Sequence, residues 1–180
     1  ELGLAVHLDG ARLWNAAAAQ SVSPAELAAG ADTVSVCFSK GLGAPVGSAL
    51  AADAGRIERA RYLRKRLGGG MRQVGILAAG ALHALRHHRD RLVEDHRRAA
   101  RIGEALAELP GIRVLPVQTN IVIVDMTGAG RGQSEIVPAL AAEGLLVVGF
   151  GASRIRLVTH LDVDDAAVEA AIAASRKVLG

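Results

Sequence analysis

The stretch Thr33–Pro45 (TVSVCFSKGLGAP) constrains this chain more than any other. Its first half alternates and is β-branched, the pattern of a strand buried on both faces of a helix-covered sheet. Its second half is a Gly-Pro loop, and one lysine, Lys40, stands at the junction. Ammonium is strongly hydrated, so burial at the end of an apolar strand drives lysine toward its neutral amine. A neutral amine in a dry pocket is what Schiff-base chemistry with an aldehyde requires. Gly41 and Gly43 would let the backbone approach a bulky bound group closely. Taken alone, the same residues also describe a lysine that snorkels from a strand edge; its partners decide.

Composition narrows the fold. Of the 180 residues 51% are hydrophobic but only 2% aromatic, so the core is built from many small side chains. Such a core needs close helix–sheet layering, which predicts an α/β chain. The net charge of +3 is mostly arginine interspersed with acids on predicted helices, which reads as solvated faces. With no basic tail and no base-stacking aromatic cluster, nucleic-acid binding is disfavoured. A single cysteine, Cys37, excludes an internal disulfide and fits a reducing, cytoplasmic setting. It sits in the apolar strand as a core residue. No apolar run reaches the roughly 18 residues of a membrane span. The chain begins at Glu1 without Met, and we expect the N-terminal part of a longer protein to precede it.

Along the chain, Leu2–Leu8 reads as a strand stopping at Asp9-Gly10, and Ala11–Gln20 as a short helix. Ser23-Pro24-Ala25-Glu26 opens the next helix with a capping box. The lysine strand, its loop and a strand over Val46–Ala52 follow. Asp53–Leu67 is a charged helix broken by Gly68-Gly69-Gly70. Met71–His88 is apolar on most faces, hence buried or at a subunit interface. Leu92–Leu109 is amphipathic and ends at Pro110-Gly111. Strands over Ile112–Val117, Asn120–Met126, Leu145–Val148 and Ile155–Thr159 follow, with a Gly-rich turn at Thr127–Gln133. Helices over Ser134–Glu143 and Asp162–Leu179 complete a small α/β sandwich. The expected domains are 1–108 and 109–180.

Asp9 and Lys40 each end a predicted strand, on the edge where open parallel sheets collect ligands. An aspartate there can pair with a protonated pyridine nitrogen, and the lysine can hold an aldehyde. Asp9-Gly10 by itself serves equally well as a turn. Arg12 follows in a first helical turn, where the dipole does not favour a cation; facing a bound group or a substrate carboxylate would account for it, as would a surface position.

Four segments carry a resemblance: His7–Ala16 (HLDGARLWNA), Ser35–Gly47 (SVCFSKGLGAPVG), Gly69–Gln73 (GGMRQ) and Arg156–His160 (RLVTH). In this order, with 31 residues from Asp9 to Lys40, they resemble the low-specificity L-threonine aldolases. These belong to the aspartate-aminotransferase-like, fold type I, group of pyridoxal-phosphate enzymes. The match covers essentially the whole chain and corresponds to the C-terminal part of a large cofactor-binding domain followed by the small domain. The resemblance implies that Lys40 carries pyridoxal 5'-phosphate and that Asp9 holds its pyridine nitrogen. It places Arg12 near the ring oxygen and the substrate carboxylate. Arg156 is implied as the principal carboxylate clamp; Arg154 lies on the same strand face, and the residues alone do not separate the two. Lys65 and Arg72 resemble basic residues that reach a neighbouring subunit's site, Arg72 near the phosphate. Ser39 could reach the phosphate region. His7 and His160 read as structural. The implied reaction is aldol cleavage of L-threonine to glycine and acetaldehyde by a homo-oligomer, dimer or tetramer.

In that family the phosphate-cradling turn, the ring-stacking histidine and the candidate base precede the segment corresponding to Glu1. The expectation is therefore a fragment that is inactive alone. The competing readings are another fold type I lyase or an aminotransferase, and a non-catalytic assembly subunit.

Overall fold

In the computed structural model, which describes residues 2–180, the lysine-bearing strand is the middle of a three-stranded sheet. This strand, β2 (Thr33–Cys37), pairs in parallel with β1 (His7–Gly10) and antiparallel with β3 (Ser48–Ala52). Helices α1 (Leu13–Gln20) and α2 (Pro24–Ala28) form the crossover that a parallel pair needs. The expected cap is present: Ser23 Oγ accepts from the Glu26 N–H, Glu26 Oε2 accepts from the Ser23 N–H, and Pro24 opens the helix.

Strand β1 begins at His7 rather than Leu2 because its partner begins opposite it, at Thr33. Just before that point the Asp32 carboxylate takes the Val6 N–H at 2.8 Å, and the chain turns away. β1 then continues through Asp9 instead of stopping there. Gly10 is buried, and a Cβ on it would stand 2.8 Å from the Ser35 carbonyl oxygen, so the β1–β2 approach requires a glycine. β2 is less enclosed than its pattern suggests: Val34 is buried and its other residues are half-buried.

Helix α3 (Ala54–Arg66) is N-capped by Asp53 and has no buried residue. Helix α4 (Gly75–His87) starts four residues later than expected, because Gln73 takes a left-handed φ of +53°, which a propagating helix does not accommodate. Its apolar sequence is not buried within this unit. Ala84 is its one buried residue, and Ile76 is 83% exposed.

A second compact unit runs from Arg91 to Gly180. The two compact units divide between Asp90 and Arg91, so α5 (Leu92–Ala107) goes with the residues that follow it. The reason is packing: Ala99, Ile102, Ala105 and Leu106 of α5 share one core with the second sheet. That sheet is wholly antiparallel, with β5 (Ile121–Asp125) and β7 (Arg154–Val158) at its centre. The short strands β4 (Arg113–Val114) and β6 (Val148–Gly149) lie at its edges. β4 stops well short of Val117; Pro116 has no N–H for a ladder. β6 starts late because the Leu145 N–H closes the end of α6 (Gln133–Ala142) on the Leu140 carbonyl.

Alternation on β5 and β7 sends Val122, Val124, Ile155 and Leu157 into the core with α5, α6 and α7 (Asp165–Leu179). The opposite face carries Ile121, Ile123, Arg154 and Arg156, all half-buried. α7 is capped by Asp164. It lies parallel to α5, with Arg97–Asp165, Arg101–Glu169 and Glu108–Arg176 bonded at the same spacing of 68 residues. Among the described residues no helix is long and apolar enough to cross a membrane.

Leu106 is fully buried at the centre of this core. Leu106→Ala is expected to cost about 3 kcal/mol, seen as a lower denaturant midpoint with an unchanged slope.

Candidate active site

The parallel register sets Asp9 opposite Ser35, so β1 and β2 end at the same sheet edge, about 4.8 Å apart. Asp9 is the penultimate residue of β1, and Phe38-Ser39 leads from the end of β2 to Lys40. The Asp9 carboxylate accepts the Ala11 N–H at 3.1 Å, so this residue also makes the turn into α1. The turn reading of Asp9-Gly10 is thus present in the structure. Asp9 is exposed.

Lys40 is exposed, so the described residues do not form the dry pocket expected around it. Its backbone is the anchored part. Gly41, Leu42 and Ala44 are buried, the Gly43 N–H closes a turn on the Lys40 carbonyl, and the Ala44 N–H bonds the Phe38 carbonyl. Gly43 has a φ of +68°, the conformation this turn demands. Before the lysine, the Phe38 ring packs on Trp14 of α1 with centroids 6.0 Å apart. Ser39 Oγ lies 3.3 Å from Cys37 Sγ, and Cys37 is half-buried rather than part of the core.

Arg12 occupies the capping position before α1, not its first turn. Its φ of −124° is non-helical, and its carbonyl accepts the Ala16 N–H. His7 is accounted for structurally by a 2.7 Å hydrogen bond between its Nδ1 and Thr33 Oγ1 on the neighbouring strand. His160 is exposed and its Nδ1 accepts the Asp162 N–H. Lys65 is exposed on α3, its stem lying over Gly70, and Arg72 is exposed in the open stretch before α4.

The second unit separates the two arginines that the sequence leaves equivalent. Arg154 Nε donates to Asp125 Oδ2 at 3.0 Å, across the strand pair that sets these residues opposite each other. Arg113 donates to the same oxygen at 3.1 Å. Arg156 pairs instead with Ile123 and Val148, and its Nε is buried without a hydrogen-bond partner among the described residues. A buried donor without a partner is costly, which suits a group awaiting an anion.

Asp125 was not singled out by sequence, where it is the last residue of an apolar strand; a carboxylate in such a run, with arginines on the strands to either side, is the available signal. Also missed was the support of the β7 end. Thr159 Oγ1 donates to the Asp95 carbonyl at 2.7 Å and Asn120 Nδ2 donates to the Thr159 carbonyl at 2.8 Å, all three residues buried.

The mixed α/β unit built on a parallel strand pair, followed by a second small α/β unit, has the fold of the aspartate-aminotransferase-like class. The beta-eliminating lyase family model matches residues 1–129, and the chain belongs to that family, whose enzymes depend on pyridoxal 5'-phosphate. The chain is similar to low-specificity L-threonine aldolase 1 of Arabidopsis thaliana. The two are 45% identical over 161 residues, covering 88% of this chain and 45% of that protein. It is 43% identical over 163 residues to the low specificity L-threonine aldolase of Escherichia coli strain K12, covering 91% and 47%. The threonine aldolase of Leishmania major shares the fold, with a TM-score of 0.76 over 99% of this chain and 53% of that one, at 20% identity. The chain thus spans about half the length of the curated relatives it matches.

The Thr127 hydroxyl and N–H, then Arg113 and Arg154, hold the Asp125 carboxyl well below the usual carboxylate range. A lowered folded-state pKa contributes stability that is present above the unfolded value, about 3.9, and is lost as pH falls toward the folded one. Thermal midpoints of the parent and Asp125→Asn should therefore differ most at neutral pH and begin to converge below about pH 4.

Proposed function

We propose that this chain is the C-terminal part of a pyridoxal-phosphate-dependent aldolase that cleaves L-threonine and L-allo-threonine to glycine and acetaldehyde. The parallel register that sets Asp9 opposite Ser35, on the strand that leads into Lys40, supports the reading. Its support is the 45% and 43% identity to relatives named as threonine aldolases. The edge residues fit the cofactor's ring: a carboxylate for the pyridine nitrogen, an amine for the aldehyde. When bound, pyridoxal phosphate supplies an electron sink for the pair released as the substrate's Cα–Cβ bond breaks.

The chain's own residues do the positioning. The Lys40 ε-amine would hold the cofactor's aldehyde. Asp9 keeps the pyridine nitrogen protonated. Arg156, with Arg12, grips the substrate carboxylate through paired N–H donors. Fixing that carboxylate turns the scissile bond perpendicular to the ring, so the clamp selects the reaction as well as the substrate. Lys65 and Arg72 extend to a neighbouring subunit's site, Arg72 toward the phosphate. The phosphate cradle, the ring-stacking histidine and the base belong to a preceding portion of the protein, and the 180 residues alone neither bind cofactor tightly nor turn over substrate.

The whole protein is read as a cytoplasmic homo-oligomer, a dimer or tetramer. What supports assembly is α3 without a buried residue, together with the exposed Val74, Ile76 and Leu82 in and before α4. Sedimentation of the complete protein tests it.

The test of the activity is product analysis of the complete protein with L-threonine. Glycine and acetaldehyde are expected; a keto acid instead would identify an eliminating lyase or an aminotransferase. Lys40→Ala should abolish both turnover and the visible absorbance of lysine-bound cofactor, whereas unchanged turnover would favour an assembly subunit. Arg156→Leu should raise KM by roughly 10- to 100-fold, the range for losing charged hydrogen bonds, while Arg154→Leu should change it far less.

A further inference from the structure

We propose that His88 is a positioning residue for the loop that carries Lys40. This rests on the reading of Lys40 as the cofactor-holding amine. His88 is the C-cap of α4, its N–H bonded to the Ala84 carbonyl, and it lies 46 residues from the loop in sequence. Its Nδ1 lies 2.7 Å from the carbonyl oxygen of Leu42, two residues beyond the lysine. A carbonyl only accepts, so Nδ1 carries the proton and donates. Neutral and charged imidazole can both supply that proton, so the bond does not depend on a charge. Leu42 is 2% exposed, which leaves its carbonyl little access to water.

The contact belongs to a longer stripe. Gly80, Ala84 and His88 are spaced four residues apart and lie on one side of α4. At Gly80, a Cβ would stand 3.1 Å from Pro45 Cδ, so a larger residue there would press on the far end of the loop. Ala84, between them, is 1% exposed. The ring of His83 stands edge-on to His88 with centroids 5.3 Å apart, which limits the rotation of the donor. α4 thus holds the loop at Pro45 and at Leu42, on either side of the left-handed Gly43. The lysine stem is long and its amine exposed, so the amine's place at the sheet edge depends on where its backbone is held. None of the sequence motifs contains His88; it lies in the run Arg86–Arg91, read as an exposed bend or break.

The test compares His88→Leu with His88→Asn. Leucine fills the site without a donor, whereas asparagine Nδ2 can occupy the place of Nδ1. The first readout needs no cofactor: hydrogen exchange at the Gly43 and Ala44 amides of the complete apoprotein. His88→Leu should speed exchange on the order of tenfold, as for loss of one hydrogen bond, and His88→Asn should stay within about twofold of the parent. The second is the pH at which the visible absorbance of lysine-bound cofactor changes, expected to move in His88→Leu and to be restored in His88→Asn. Unchanged loop exchange in His88→Leu, or equal damage in both variants, overturns the proposal. Should His88→Leu fail to fold, Gly80→Ala reads the same platform from Pro45: faster loop exchange supports it and parent-like exchange counts against it. A parent protein that forms no Lys40 adduct would instead refute the enzyme reading, while the exchange data would still judge the contact.

Discussion

A parallel pairing of two short strands underlies the rest of this structure. β1 and β2 run the same way, so their carboxyl ends lie at one edge, Asp9 on the first strand and Lys40 three residues beyond the second. An antiparallel pairing would send them to opposite edges. Parallel pairing requires a crossover, which α1 and α2 supply, and a close approach, which the buried Gly10 permits. The only tryptophan then packs against one of the two phenylalanines directly before the lysine segment. In a chain so poor in aromatic residues, this places one of its bulkiest contacts beside the proposed chemistry.

Local signals in the sequence translated well into structure. Ser23, Pro24 and Glu26 fix the start of a helix through bonds among neighbours, so three residues suffice to read it. The β-branched run before the lysine likewise located β2. What sequence could not supply was pairing and enclosure. Leu2–Ala5 has strand composition, but β2 offers no ladder opposite it. The apolar faces of α4 and β2 predict burial, yet among the described residues α4 stays largely exposed and β2 half-buried, because periodicity records that a face is apolar and not what covers it. Packing likewise lies beyond the sequence: Pro110-Gly111 ends a helix plainly, but only the structure shows that this helix shares the second core.

The two arginines of β7 show what geometry adds to a motif. Both lie on the face away from the helices, and their spacing makes them equivalent in sequence. The register sets one opposite a carboxylate and the other opposite an isoleucine, so one guanidinium is engaged within the fold while the other keeps a buried donor in reserve. The last polar residues at that end, Asn120 and Thr159, bond each other and α5, so the strand carrying Arg156 is fixed at its terminus.

The ladder of ion pairs between α5 and α7 reverses polarity along its length. Its first two rungs place arginine on α5 and an acid on α7, and its last places Glu108 against Arg176. Exposed pairs of this kind contribute little strength, at most about 1 kcal/mol each. Their arrangement nevertheless opposes a reversed docking, in which Arg97 would confront Arg176 and Glu108 would confront Asp165. The rungs thus act as a directional code written in charge: they add little to how firmly the helices hold and much to which way round they can lie.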